Sequence, residues 1–223
     1  MLFRSWYEIQ DAVDYYEEFE KPKIQYGHFS PEPLFHYNTN GTYSNDKSYI
    51  IPTEDLFLYG LLNSKVYWHL IKSMCPFVRG GFYEVRAQYI ETLPIPAKPK
   101  NEKISTLAQT TQTKTEARYQ CEQNFARRLA DLCPGDQVFK LNKKLQNWWL
   151  LDFAELQKEL NKAFKASISL AERNDWQDYF ESEQAKRVEL NNEVTALENE
   201  LNQQVYNLFK LSQDEITLIE SEI

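Results

Sequence analysis

Two arginines stand among aromatics in the stretch RGGFYEVRAQYIETLPIP, Arg79 to Pro96, which opens on a Gly-Gly pair and stops at two closely spaced prolines. Guanidinium groups beside aromatic faces suit a surface that grips an anion, and the same pattern also suits a hairpin whose aromatics fill a core. Most other chemistry is excluded by what the chain lacks. No GxG follows a strand to hold a dinucleotide or S-adenosylmethionine, and no GxxxxGK[ST] cradles a triphosphate. There is no GxSxG, no HExxH, no Asn-Pro-Pro-aromatic tetrapeptide of the amino-methyltransferase kind, and no Glu-x-Lys of the magnesium-nuclease kind. Asp11, Asp14 and Glu17 read as the wet face of a helix rather than as a general acid and base. Cys75, Cys121 and Cys133 form no CxxC and stand at no metal-ligand spacing from His28, His36 or His69, so they read as buried thiols. The chain is therefore expected to be no enzyme, with neither a metal site nor a cofactor of its own.

Composition narrows the partners. With 223 residues, 42% of them apolar and 14% aromatic, the chain can bury a sizeable core as one large domain or two small ones. It has no run of about 18 apolar residues and no apolar signal stretch at MLFRSWYEIQ, which predicts a cytoplasmic protein without a membrane partner. A net charge of -8 opposes nucleic-acid binding through bulk charge, so any such contact must come from a local patch. Residues 1–100 hold 10 Lys and Arg against 12 Asp and Glu, whereas the remainder holds 15 against 21, so the less acidic half is the one with the arginine-aromatic stretch.

The elements that must position these side chains change character near residue 100. SWYEIQDAVDYYEEF predicts a first helix, with Ser5 and Glu8 at capping-box spacing and Trp6, Ile9, Val13 and Tyr16 on one face. The segment from Lys21 to Pro52 predicts a meander of strands, with a tight turn at Asn40-Gly41. TEDLFLYGLLNSKVYWHLIKS predicts one buried helix capped by Thr53, in which Gly60 permits a close approach of a neighbour. Gly80 and Gly81 predict a turn that exposes Arg79, followed by a strand with Tyr83, Val85 and Ala87 on one face and Glu84, Arg86 and Gln88 on the other. Beyond Pro99 the chain runs free of Gly and Pro to Pro134-Gly135, as one long helix with a thin apolar stripe. A further helix is expected over Phe153 to Phe164. A heptad seam of Leu190, Val194, Leu197, Leu201, Gln204, Leu208 and Leu211 is expected to pack against the long helix after Pro99, and Ser212 and Glu215 open a short terminal helix that folds back.

Four stretches in order, KPKI, GTYSNDKSYII, LYGLLNSKVYWHLI and GGFYEVRAQYIETLPIP, resemble the TaqI-like C-terminal specificity domain, the target recognition domain of type IIG restriction-modification enzymes and adenine-specific DNA methyltransferases. The tail, DFAELQKELNKAF and VTALENELNQQVYNLFKLSQDEITLIE, is similar to the helical end of the same large proteins. The resemblance implies a sheet that presents loops to double-stranded DNA, with helices that hold it against a methyltransferase and nuclease acting in cis or in trans. S-adenosylmethionine and magnesium would then belong to those catalytic domains, and Met1 would begin a fragment or an orphan specificity module.

On that footing Arg79, Arg86, Gln88, Asn38, Asn40 and Asn45 are candidate base readers, because Arg can fork onto guanine and Asn or Gln onto adenine. The three asparagines also suit turns, and Arg86 also suits the solvent face of a strand. Lys47, Lys65 and Lys72 are candidates for phosphate, and Tyr83 and Phe82 for stacking or wedging between bases. The expected architecture is α+β: a target recognition domain over 1–98, with a small twisted, mostly antiparallel sheet and packed helices, and a helical support region over 99–223 built as an antiparallel bundle. Two other readings remain open, half of a type I-like specificity subunit and a coiled-coil scaffold that binds no DNA.

Overall fold

The computed structural model describes residues 16–45, 47–96, 101–135 and 138–221. The helix expected from Ser5 falls mostly outside them; its last residues, Tyr16–Phe19, form a 3-10 turn. The fold is α+β, with small antiparallel sheets and long helices. The chain forms two compact units: residues 1–112 with 198–223, and residues 113–197. This cut differs from a linear division near residue 99, since the C-terminal segment returns to the unit that holds the sheets.

In the first unit, strands β1 (Lys23–Gly27), β3 (His36–Asn38) and β4 (Ser48–Pro52) form one antiparallel sheet in the order β3-β1-β4. The expected meander is thus corrected: β3 and β4 flank β1, and residues 39–47 carry the chain across rather than around a hairpin. Gly41 takes a positive φ of 64°, as a turn residue does. A second sheet, order β2-β6-β5, joins β2 (Phe29–Ser30), β6 (Phe82–Glu84) and β5 (Phe77–Val78).

The buried helix expected from Thr53 to Ser73 is two helices, α1 (Leu56–Leu62) and α2 (Lys65–Met74). Asp55, not Thr53, caps α1, accepting from the Phe57 and Leu58 amides. The break falls at Asn63-Ser64. Ser64 is fully buried and caps α2, while the Asn63 amide accepts from the Phe35 N–H and donates to the Phe35 carbonyl, both at 3.2 Å. Gln112 treats Tyr37 in the same way, at 3.1 and 2.7 Å. Two side-chain amides thus cover the outer edge of β3, a backbone row that would otherwise invite another strand. Gly60 is the close approach that the sequence predicts: a Cβ there would lie 2.7 Å from Ile104 Cγ2 and 3.3 Å from the Ile104 carbonyl.

The long helices are α4 (Glu102–Leu129) and α7 (Arg173–Phe209). Within the second unit they run antiparallel, as Lys114–Glu193 (2.8 Å), Arg118–Asn191 (2.9 Å) and Glu122–Arg187 (3.0 Å) show in register. Their thin stripe is completed by α5 (Lys143–Gln146) and α6 (Phe153–Phe164), whose residues join Phe125, Leu129 and Phe180 in a core centred on Trp148. Val194, Leu201 and Val205 of the heptad segment are buried within the single chain, whereas Leu190, Leu197, Gln204 and Leu208 are half-buried. Leu211 lies beyond the helix, which ends with Lys210 in the left-handed region. Helix α8 (Gln213–Ser221) opens with the expected Ser212–Glu215 pair and packs on α2.

Candidate nucleic-acid interface

The hairpin β5–β6 turns at Arg79-Gly80-Gly81, where both glycines have positive φ, 95° and 87°, a conformation that side chains resist. Arg79 is exposed at that turn and makes no side-chain pairing among the described residues. The strand stops at Glu84, which corrects the longer strand expected from sequence. Arg86 instead precedes the short helix α3 (Ala87–Ile90), which carries Gln88 on its surface. The alternating polar face of Glu84, Arg86 and Gln88 therefore does not exist as a strand face. LPIP forms no strand; Leu93 is buried and the Pro94 carbonyl accepts from the Tyr67 hydroxyl at 2.6 Å.

Pairing of the strands sets two faces on the second sheet. Tyr83 stands opposite Phe77 and meets Trp68 and Phe77 edge-on at 5.6 and 5.2 Å, so it is a packing aromatic rather than a free stacking platform. The other face carries Phe82, Glu84 and Phe29, and the two phenylalanines are exposed at 39% and 46%.

Glu84 organises that face. Its Oε1 accepts from Arg86 Nη2 at 2.6 Å and pairs with His28 Nε2 at 3.1 Å. The arginine holds the carboxyl below the usual glutamate range, with help from the histidine, and the carboxylate in turn raises the guanidinium. His28 stacks on Phe29 at 4.3 Å and meets Tyr49 edge-on at 5.7 Å. Its backbone accepts from the Val85 N–H and donates to the Lys47 carbonyl, so the residue between β1 and β2 gathers the end of the 39–47 crossing and the start of α3. His28, Phe29 and Glu84 were not among the residues picked from sequence. Only the cross-strand partner of Glu84 could have drawn attention to it, and that partner is 56 residues away.

The remaining candidates scatter. Asn38 is buried and spends its amide on Gln25, Thr42 and the Asn40 N–H, so it shapes the loop instead of projecting from it. Asn40 and Asn45 are exposed on that loop, and Asn45 Oδ1 accepts from the Lys47 N–H. Lys47 is exposed beside them. Lys65 faces the C-terminal helices, pairing with Glu220 at 3.2 Å while its N–H donates to Asn202. Lys72 sits in the last turn of α2, where the helix dipole favours a cation. The structure thus joins Arg86 and Lys47 through His28, and it does not join Lys65 to them.

Among the described residues, no group of three His, Cys, Asp or Glu side chains could hold a metal ion. Burial pushes the Cys75 and Cys121 thiols up to about 11, away from thiolate chemistry. No described helix is long and apolar enough to cross a membrane.

The two-sheet α+β unit carries a glycine-turned hairpin and leaves Arg79 and Arg86 exposed. Residues 3–95 match the family model of the TaqI-like C-terminal specificity domain. Residues 97–205 match a separate family described as a domain of unknown function, DUF8810. No curated protein matches the chain. Two of the stretches that carried the resemblance, LNSK and LPIP, prove to be one joint: Ser64 caps the helix whose Tyr67 holds Pro94.

Proposed function

We propose that the chain recognises a DNA sequence on behalf of a type IIG-like restriction-modification methyltransferase and endonuclease, and that it has no catalytic activity of its own. The observation that carries this reading is the specificity-domain match over residues 3–95, on a unit whose hairpin face leaves Arg79, Arg86, Phe82 and Phe29 accessible. Arg79 and Arg86 are the leading base readers, supported by Gln88, Asn40 and Asn45, and Lys47 serves phosphate. Phe82 and Phe29, exposed on one face, contact base or sugar surfaces in this reading. Asn38, Tyr83 and Lys65 are assigned to the scaffold. The catalytic domain acts in cis or in trans, takes the S-adenosylmethionine and magnesium, and supplies most of the charge attraction that an acidic chain lacks. The setting is the cytoplasm, where the DNA is. At the heptad seam, the burial of Val194 and Leu201 within one chain supports this reading over a zipper scaffold.

Selection of duplexes from a random-sequence pool by the purified chain, at low salt, tests the proposal. Enrichment of one short motif supports it, and a pool that stays random after repeated rounds at measurable binding refutes it. In parallel, the chain is expected neither to transfer labelled methyl groups from S-adenosylmethionine to DNA nor to cut DNA.

A further inference from the structure

Arg86 is half-exposed, with 48% of its side chain accessible, yet its Nη2 is held at 2.6 Å by a carboxylate that is itself only 18% accessible and is steadied by His28. The guanidinium keeps its Nε and Nη1 donors without partners among the described residues. Five N–H donors in a rigid fork allow one edge to stay on a carboxylate while another meets an acceptor pair. A base edge such as guanine O6 and N7 is neutral and can be approached in that state. A phosphate cannot be approached as easily, because Glu84 would sit beside it with like charge, and moving Arg86 away would leave Glu84 with His28 alone.

We propose that Glu84, positioned by His28, determines specificity by keeping Arg86 available to base edges and withholding it from phosphate. This rests on the DNA-recognition reading above. It also explains why a carboxylate occupies the middle of a face that would otherwise be aromatic and cationic: Phe29 lies directly across from it, and Phe82 two residues before it on the same side of the strand. A neutral residue at 84 would free the guanidinium to clamp any sequence.

The test compares the full chain with E84Q, R86K and the double variant E84Q/R86A, on the duplex recovered by selection and on a scrambled duplex of equal length, between 50 and 200 mM salt. E84Q should bind the scrambled duplex more tightly and gain about 0.9 in salt slope, the value of one added phosphate contact, so that its affinity falls about 3.5-fold more over that range. Its ratio of selected to scrambled affinity should drop about fivefold, the lower end of what one bidentate base contact contributes. E84Q/R86A should lose the added slope. R86K, a surface change that keeps the charge and removes the fork, should lower the ratio even if E84Q folds poorly. A ratio and a salt slope unchanged in E84Q overturn the role of Glu84 while leaving DNA recognition standing. Absence of any sequence preference in the unaltered chain overturns both.

Discussion

Replacing Asn63 by alanine isolates the joint on which the recognition unit is built. The Asn63 amide is the partner of both the N–H and the C=O of Phe35, a residue with only 6% of its surface accessible, and it also donates to the Tyr59 carbonyl at 3.1 Å. That Tyr59 carbonyl keeps the Asn63 backbone N–H at 3.3 Å, so its loss is small. The two Phe35 groups have no such reserve among the described residues. Each buried backbone group left without a partner costs about 1 to 3 kcal/mol, which gives about 2 to 6 kcal/mol for N63A. Asn63→Asp should lie between N63A and the unaltered chain, since it still accepts from the Phe35 N–H but turns an oxygen towards the Phe35 and Tyr59 carbonyls. Urea denaturation measures the total, and amide hydrogen exchange at Phe35 localises it. A loss below about 0.5 kcal/mol, with the Phe35 amide still protected, would show that the helix break at 63–64 does not depend on this pairing.

Three further outcomes are expected. Leu201→Ala, at a site 5% exposed, should cost about 2 to 5 kcal/mol without changing the sedimentation coefficient across concentration, whereas the same change at half-buried Leu197 should cost less; a dimer dissolving in L201A would assign the seam to a partner. Gly60→Ala should destabilise by about 1 to 3 kcal/mol despite alanine's better helix propensity, because its Cβ would meet Ile104; a thermal midpoint that rises would mean that α4 yields freely. The lowered Glu84 carboxyl makes a contribution to folding that is full above the ordinary glutamate value of 4.5 and is lost as pH falls through its lowered value, so the acid limb of the stability curve should flatten in E84Q.

Local features were legible in the chain, and features set by distant partners were not. The span of α6, the Ser212–Glu215 start of α8, the Gly80-Gly81 turn and the need for glycine at position 60 each follow from residues a few places apart or from one residue's size. The break inside LYGLLNSKVYW was hidden, because the apolar run continues across it and the cause is Phe35, 28 residues earlier. The strand order β3-β1-β4 was hidden for the same reason, since an Asn-Gly pair fits a crossing loop as well as a hairpin. At the candidate interface, the exposure of Arg79 was legible from its turn. Arg86 was picked by residue type and placed on a strand that ends two residues before it, and Glu84 could not be singled out until His28 stood beside it.

The most direct measurement is an anisotropy titration of the purified chain with the selected duplex, repeated with Arg79→Ala and Arg86→Ala at several salt concentrations. A clear preference for the selected over the scrambled duplex is expected, and for at least one of the two variants a loss of about 1 to 3 kcal/mol confined to the selected duplex, with relaxed choice at one base pair. Equal affinity for both duplexes, or losses in both variants that are the same on every sequence and lower the salt slope by about 0.9, would contradict it, since such arginines hold phosphate and read nothing.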